Sequence, residues 1–211
     1  FTFAAADGFR LAVYKGKLAE AASEDVSFII PARALQEVSR ITSGQEADVE
    51  FTVTPSKNQA LFRLDDVEIV SQLIQGTFPN YSQLIPQSFG TRVVVDLGDF
   101  LRATRSASIF ARDGSGIIRI QMGAGENGGP GRLSVSSRAD EVGDNQGEID
   151  AEVEGDESKI AFNSKYLAEV LEVLRDGQVA LETTSPSSPG VLRPVGADGY
   201  VHVVMPMFVQ W

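Results

Sequence analysis

Few residues in this chain have the type and spacing that catalysis demands. The single histidine, His202, stands between Val201 and Val203 in an alternating stretch. It reads as a surface histidine on a strand, because general acid–base work needs a positioned partner and none lies near it in sequence. The chain has no cysteine, and no H-E-x-x-H, G-x-S-x-G or G-K-[ST] pattern occurs. The glycine-rich stretch GAGENGGPGR, 123–132, lacks the Lys-Ser/Thr ending of a phosphate loop. It leads into a strand-like run from Leu133 to Ser136, so it reads as a hairpin.

Charged side chains are the larger resource. Lys and Arg number 18 against 29 Asp and Glu, a formal net charge of -11. Nine of the acids fall between Asp140 and Glu157, where no Lys or Arg occurs, and the remaining 20 acids face 18 bases. The acidic run lacks the spaced ligands and closing bidentate Glu of a calcium loop, so it reads as a solvated negative surface. Outside it the chain is close to neutral, and local basic faces can form. Arg33 and Arg40 fall on one side of a helical pattern. Arg102 and Arg105 do the same beside Thr104, Ser106 and Ser108, whose small side chains let a phosphate backbone approach.

These residues must be carried by regular elements. Pro31 suits the start of a helix and Gly44 its end, with Leu35, Val38 and Ile41 on the apolar face. DVEFTVTPS and ALFRLDDVEIVSQLI then read as strands. A strand from Arg92 to Val95 leads into a helix with Phe100, Ala103, Ala107 and Phe110 on one face. Arg102, Arg105, Ser106 and Ile109 occupy the other. Strands IIRIQM and RLSVSS follow. A third helix places Tyr166, Val170, Val173 and Leu174 together, with Lys165, Glu169, Glu172 and Arg175 on its polar side. Leu35, Leu101 and Leu167 recur 66 residues apart. At the chain start, Asp7-Gly8 marks a turn before a strand from Arg10 to Tyr14. Opening directly on Phe1, the chain reads as a fragment that begins inside an element. The whole predicts an α+β fold of repeated helix-plus-strands units that pack pairwise or in an array. No apolar run reaches membrane-spanning length, and no membrane partner is expected. The lack of cysteine suits a reducing cytoplasm.

Three separated stretches then become family-specific: ADGFRLAV (6–13), LIQGTFPNYSQLIP (73–86) and VVMPM (203–207). With FNSKYLAEVL (162–171) and SPSSPGVLRPV (185–195), they resemble the bacterial DNA polymerase sliding clamp family, the beta subunit of polymerase III, in order and spacing. The resemblance implies a DNA-clamp fold, with one half-domain followed by one complete clamp domain. Residues 1–81 would be the second half of the middle domain, and 82–211 the third domain.

It further implies a non-catalytic processivity factor without cofactor or metal. When full length, it closes as a homodimeric ring around duplex DNA, without regard to sequence. Implied partners are the replicative polymerase catalytic subunit, the clamp loader and other proteins bearing a clamp-binding motif. Arg33, Arg40, Arg102 and Arg105 would face DNA, and Ile109 and Phe110 the neighbouring subunit. The implied peptide groove comprises Gly8, Phe9, Arg10, Leu11, Pro79, Leu84, Asn163, Tyr166, Val203, Val204, Met205, Pro206 and Met207. Its methionines offer an adaptable, polarizable wall. The chain departs from many members at Ala6 and Phe9, where Thr and His are usual, and at Gln83, where Arg is usual. It also continues through Phe208, Val209, Gln210 and Trp211 beyond the usual ending. Two other classes compete with this reading: an acidic cation-dependent hydrolase or surface-binding module built on 140–157, and a purely structural repeat.

Overall fold

The computed structural model describes residues 1–44, 48–112, 115–125, 130–139 and 143–211. The described residues form two compact units, Lys17–Asn80 and the combination of Phe1–Gly16 with Tyr81–Trp211. The chain opens on the hairpin β1 (Thr2–Ala6) and β2 (Arg10–Lys15). The smaller unit contains α1 (Ala32–Ile41), β3 (Glu50–Val53), β4 (Gln59–Leu64) and β5 (Val67–Gln72). A 3-10 turn (Tyr81–Leu84) precedes β6 (Thr91–Asp96), α2 (Leu97–Arg112), β7 (Ile117–Gly123), β8 (Gly131–Ala139) and β9 (Gly143–Gly155). The chain then forms β10 (Ser158–Asn163), α3 (Ser164–Val173), β11 (Gln178–Thr183), β12 (Gly190–Pro194) and β13 (Tyr200–Val204).

In the smaller unit, β4 pairs antiparallel with β3 and β5. Ala60, Phe62 and Leu64 alternate inward along β4, and Leu35, Val38 and Ile41 of α1 pack on them. That is the apolar face expected of the helix. Pro31 precedes its first residue, where the missing N–H costs no intrahelical bond.

The larger unit is one ten-stranded antiparallel sheet, ordered β1-β2-β13-β12-β11-β6-β9-β8-β7-β10. Helix α2 packs on β7, β8 and β9 and lies beside α3. Between helices and sheet sits the main core, with Phe100, Ile118, Ile120, Leu133, Phe162, Leu167, Leu171, Leu181 and Leu192 buried. The α+β architecture is therefore the one expected, with each helix followed by antiparallel strands.

Three details differ. The buried line of α2 runs through Phe100, Thr104, Ala107 and Ala111, while Ala103 and Phe110 are only half-buried. A polar Thr at the centre of the contact displaced the expected register. On α3 the inward residues are Leu167, Val170 and Leu171, and Val173 is 62% exposed because it turns away in the last turn. The acidic run supplies a strand rather than a featureless surface. In β9, Ile149 and Ala151 are buried while Glu148, Asp150, Glu152 and Glu154 alternate outward. Asp140 and Glu141 lie outside the described residues, as does the middle of the glycine-rich hairpin, whose flanking strands β7 and β8 pair as expected.

One glycine is required by packing. Gly190 sits opposite Val204, and a Cβ there would stand 2.3 Å from the Phe162 ring. Since Phe162 is completely buried, it has no space to retreat. We expect Gly190→Ala to destabilise the fold by about 1–3 kcal/mol, seen as a lower urea midpoint, through overpacking. An unchanged midpoint would refute this close approach.

Candidate functional site

Several of the expected groove residues lie where the first hairpin meets the last strand. β2 pairs antiparallel with β13, placing Leu11 opposite Val203 and Val13 opposite Val201. These four side chains and Val191 form a second apolar cluster on the sheet face away from the main core, covered in part by Ala4, Tyr81 and Ile85. Leu84 ends the 3-10 turn that supplies Tyr81 and remains exposed. The pairing continues beyond β13, because the Met205 N–H donates to the Phe9 carbonyl at 2.8 Å. Pro206 is buried and has no N–H to donate, which ends that ladder. Met205 is exposed, and the Met207 N–H donates to the Ala161 carbonyl at 2.7 Å. Val204 corrects the expectation: it points to the opposite face and is fully buried in the main core, as strand alternation requires. Pro79 belongs to the Lys17–Asn80 unit.

The turn between β1 and β2 is organised by Asp7. Its Oδ1 accepts the N–H groups of Phe9 and Arg10, each at 3.1 Å, and its Oδ2 accepts from Arg10 Nε at 2.8 Å. Gly8 takes φ +85°, a value glycine adopts without strain. Arg10 also binds Glu169 on α3 and lies 4.5 Å above the Tyr166 ring. Phe9 stacks on Tyr166 with ring centres 6.0 Å apart and remains 57% exposed. Asn163 caps α3, its Oδ1 accepting from the N–H groups of Lys165 and Tyr166 at 3.0 and 3.3 Å. The turn, the helix start and the end of β13 are thereby held as one rim. Asp7 reads in sequence only as part of a turn and Glu169 only as helix surface, and neither is a site candidate there. Asp7 carried a turn signal, whereas the Glu169 link joins distant segments and leaves no local pattern.

The electrostatics of this rim are tightly balanced. Burial alone would raise the Asp7 carboxyl, but hydrogen bonds from Arg10 and Phe9 and the Arg10 charge outweigh it and hold the group below its usual value. Burial likewise opposes the Arg10 charge, yet Glu169 and Asp7 raise its pKa. His202 corrects the surface reading, being only 7% exposed. It lies between valines that face the second cluster, while its own side faces inward with Val204 and Tyr200. Its Nδ1 shares a 2.9 Å hydrogen bond with the Tyr200 hydroxyl, and its Nε2 is buried without a hydrogen-bond partner in the described structure. Burial first, then the Arg10 charge, push its pKa down to about 4, against a smaller opposing effect of Asp7.

The candidate DNA-facing arginines are exposed on their helices: Arg33 and Arg40 on α1, Arg102 and Arg105 on α2. Ile109 is exposed on α2 and Phe110 half-buried. Among the described residues no group of three or more His, Asp or Glu side chains is placed to hold a metal ion. The acids of β9 are spread along an extended strand, about 7 Å between neighbours on one face, too far to converge on one cation. No described helix is long and apolar enough to cross a membrane.

A neutral buried histidine has a pH consequence. The folded pKa lies below the ordinary value of 6.5, so the unfolded chain binds the proton first as pH falls. The contribution of His202 is complete above pH 6.5 and is lost as pH drops toward about 4, by about 3 kcal/mol at most. Urea midpoints followed from neutral to acid pH should therefore fall more steeply for the native chain than for His202→Leu. Parallel profiles would sink the assignment.

Comparison with known proteins places this geometry in a family. The domain described as DNA polymerase III beta subunit, C-terminal domain, matches residues 82–208, and the central domain of the same subunit matches 1–80. A beta sliding clamp from Staphylococcus aureus is 34% identical over 204 residues, covering 96% of this chain and 52% of that protein. One from Synechococcus elongatus is 34% identical over 206 residues, covering 97% and 54%. The crystal structure of the DNA polymerase sliding clamp from Bacillus subtilis superposes with a TM-score of 0.89 at 29% identity, covering 98% of this chain and 53% of that one. The chain thus spans about half the length of the curated relatives it matches. With both domain families in sequence and the same fold, the chain belongs to the DNA polymerase III beta subunit family.

Proposed function

We propose that this chain is the C-terminal portion of a DNA sliding clamp. Residues 1–81 are the second half of the middle domain and 82–211 the third domain. In the full-length protein two copies close into a homodimeric ring around duplex DNA, with Ile109 and Phe110 at the subunit contact. The ring acts in the cytoplasm as a non-catalytic processivity factor, tethering the replicative polymerase. Arg33, Arg40, Arg102 and Arg105 meet phosphates without reading bases, as movement along any sequence requires. The outward acids of β9 give the far sheet face a negative charge that repels DNA.

The observation that carries this reading is the pairing of Leu11 with Val203, followed along the chain by the exposed Met205 and joined at the turn to the Phe9–Tyr166 stack. A buried apolar floor with an adaptable methionine and an aromatic edge suits a short peptide with apolar anchors. Polymerase, clamp loader and other motif-bearing proteins dock there. Leu11 and Val203 form the floor, Leu84, Met205, Pro206 and Met207 one side, and Gly8, Phe9, Arg10, Asn163 and Tyr166 the other. Val204 supports the floor from behind, and Pro79 lies in the Lys17–Asn80 unit.

A labelled short peptide with Gln, Leu and Phe anchors should bind the folded chain in fluorescence anisotropy. Met205→Ala should weaken it by about tenfold, roughly 1–2 kcal/mol, and Met207→Ala should weaken it too. Val70→Ala, exposed on β5, should leave it unchanged. Absence of peptide binding to folded protein, or equal binding by all variants, rules out the groove.

A further inference from the structure

The arginines assigned to DNA are not free cations. Arg105 Nη2 binds Glu172 Oε1 of α3 at 2.8 Å, across the helix pair. Arg102 binds Asp99 one turn earlier on α2. In the other unit, Arg40 Nε binds Glu37 Oε2 at 2.8 Å on α1. Arg33 makes no ion pair among the described residues. The six paired side chains are between 44% and 73% exposed, so each pair is solvated and contributes little to stability. Fold stability alone therefore does not account for an acid beside three of the four arginines.

Their effect on a polyanion is larger. A free arginine that neutralises a phosphate releases a condensed counterion, and each such contact steepens the salt dependence of binding by about 0.9. An arginine already paired with a carboxylate brings its own counterion, so this gain is mostly lost. It still presents unused guanidinium N–H groups, because each pair engages one of three nitrogens. Such a surface can donate hydrogen bonds to phosphates while exerting little long-range attraction.

We propose that Glu37, Asp99 and Glu172 are affinity-limiting residues that compete with DNA phosphates for Arg40, Arg102 and Arg105. They keep contact with the duplex weak and interchangeable. This inference rests on the reading of these helix faces as DNA-facing. It assigns the acids a role in how loosely the duplex is held, distinct from the repulsion exerted by the acidic face of β9. A protein that must move along a duplex gains from contacts that break and re-form readily, and paired arginines supply them.

The test measures binding of a labelled duplex to the chain by anisotropy between about 50 and 200 mM salt. The D99N/E172Q variant should bind several-fold tighter, with a slope steeper by about 0.9 for each arginine released; E37Q should act in the same direction. The E152Q/E154Q variant removes the same charge from the outward face of β9; it relieves only long-range repulsion, so it should tighten binding far less and leave the slope unchanged. If D99N/E172Q binds no tighter than native chain, or if E152Q/E154Q tightens binding equally, the competition is overturned. The R102A/R105A variant separates the two readings. Weaker binding in it with no effect of D99N/E172Q leaves the DNA face standing and removes the acids' role. No effect of either, or no duplex binding by native and acid-free chains alike, overturns both. Circular dichroism of all variants should match the native chain, because every substituted side chain is exposed.

Discussion

Hydrogen bonding between β2 and β13 brings the first stretch of the chain against the last. It sets Leu11 on Val203 and Val13 on Val201, and it extends past the strand through the Met205 N–H. Everything at the candidate groove depends on that ladder. Alternation along β13 sends Val201 and Val203 to one face and His202 and Val204 to the other. The same strand thus supplies a second apolar cluster on one face and closes the main core on the other. A slip of one residue would exchange the two faces and destroy both. The Asp7 turn and the Arg10–Glu169 bridge then fix the rim, joining the hairpin to the start of α3.

The price of this arrangement is a buried imidazole. His202 occupies an inward position on a strand covered on both sides, and the Tyr200 hydroxyl satisfies only one of its nitrogens. Its neutrality at ordinary pH follows from that burial and from the nearby Arg10 charge. The rim and the core are consequently coupled electrostatically: the cation that steadies the Tyr166 ring also disfavours protonation beneath it.

Strand alternation decides where the acids of one chain segment face. β9 holds its acids on the outward face because Ile149 and Ala151 must point inward. The helices show the other pattern, with basic side chains exposed and acids one turn away or on the neighbouring helix. Net charge alone argues against a nucleic-acid surface. The outward strand acids are nevertheless distinct from the helix faces, where ion pairs offset the charge of Arg40, Arg102 and Arg105.

Much of the fold was legible in sequence. Leu35, Val38 and Ile41 repeat at helical spacing and pack as that spacing demands, and the Asp7-Gly8 turn forms with Gly8 at positive φ. The motifs at both ends of the chain name Leu11, Arg10 and Val203, which the β2–β13 pairing brings together. The errors share one cause, since local hydropathy reports average composition and not which neighbour arrives. Thr104 was read as polar surface but is buried in the α2 contact, and Val173 was read as core but faces solvent. His202 was read as exposed because a strand shows its own alternation but not whether both faces are covered. The acids of β9 hid a strand whose inward positions are small or apolar. Sequence by itself determined the family, the repeated helix-plus-strands pattern and the residue types that line the candidate groove. Tertiary structure alone decided which face each residue occupies and which charges meet. Arg10 with Glu169 and Arg105 with Glu172 are joined across distant segments, and no local periodicity encodes contacts that only chain folding creates.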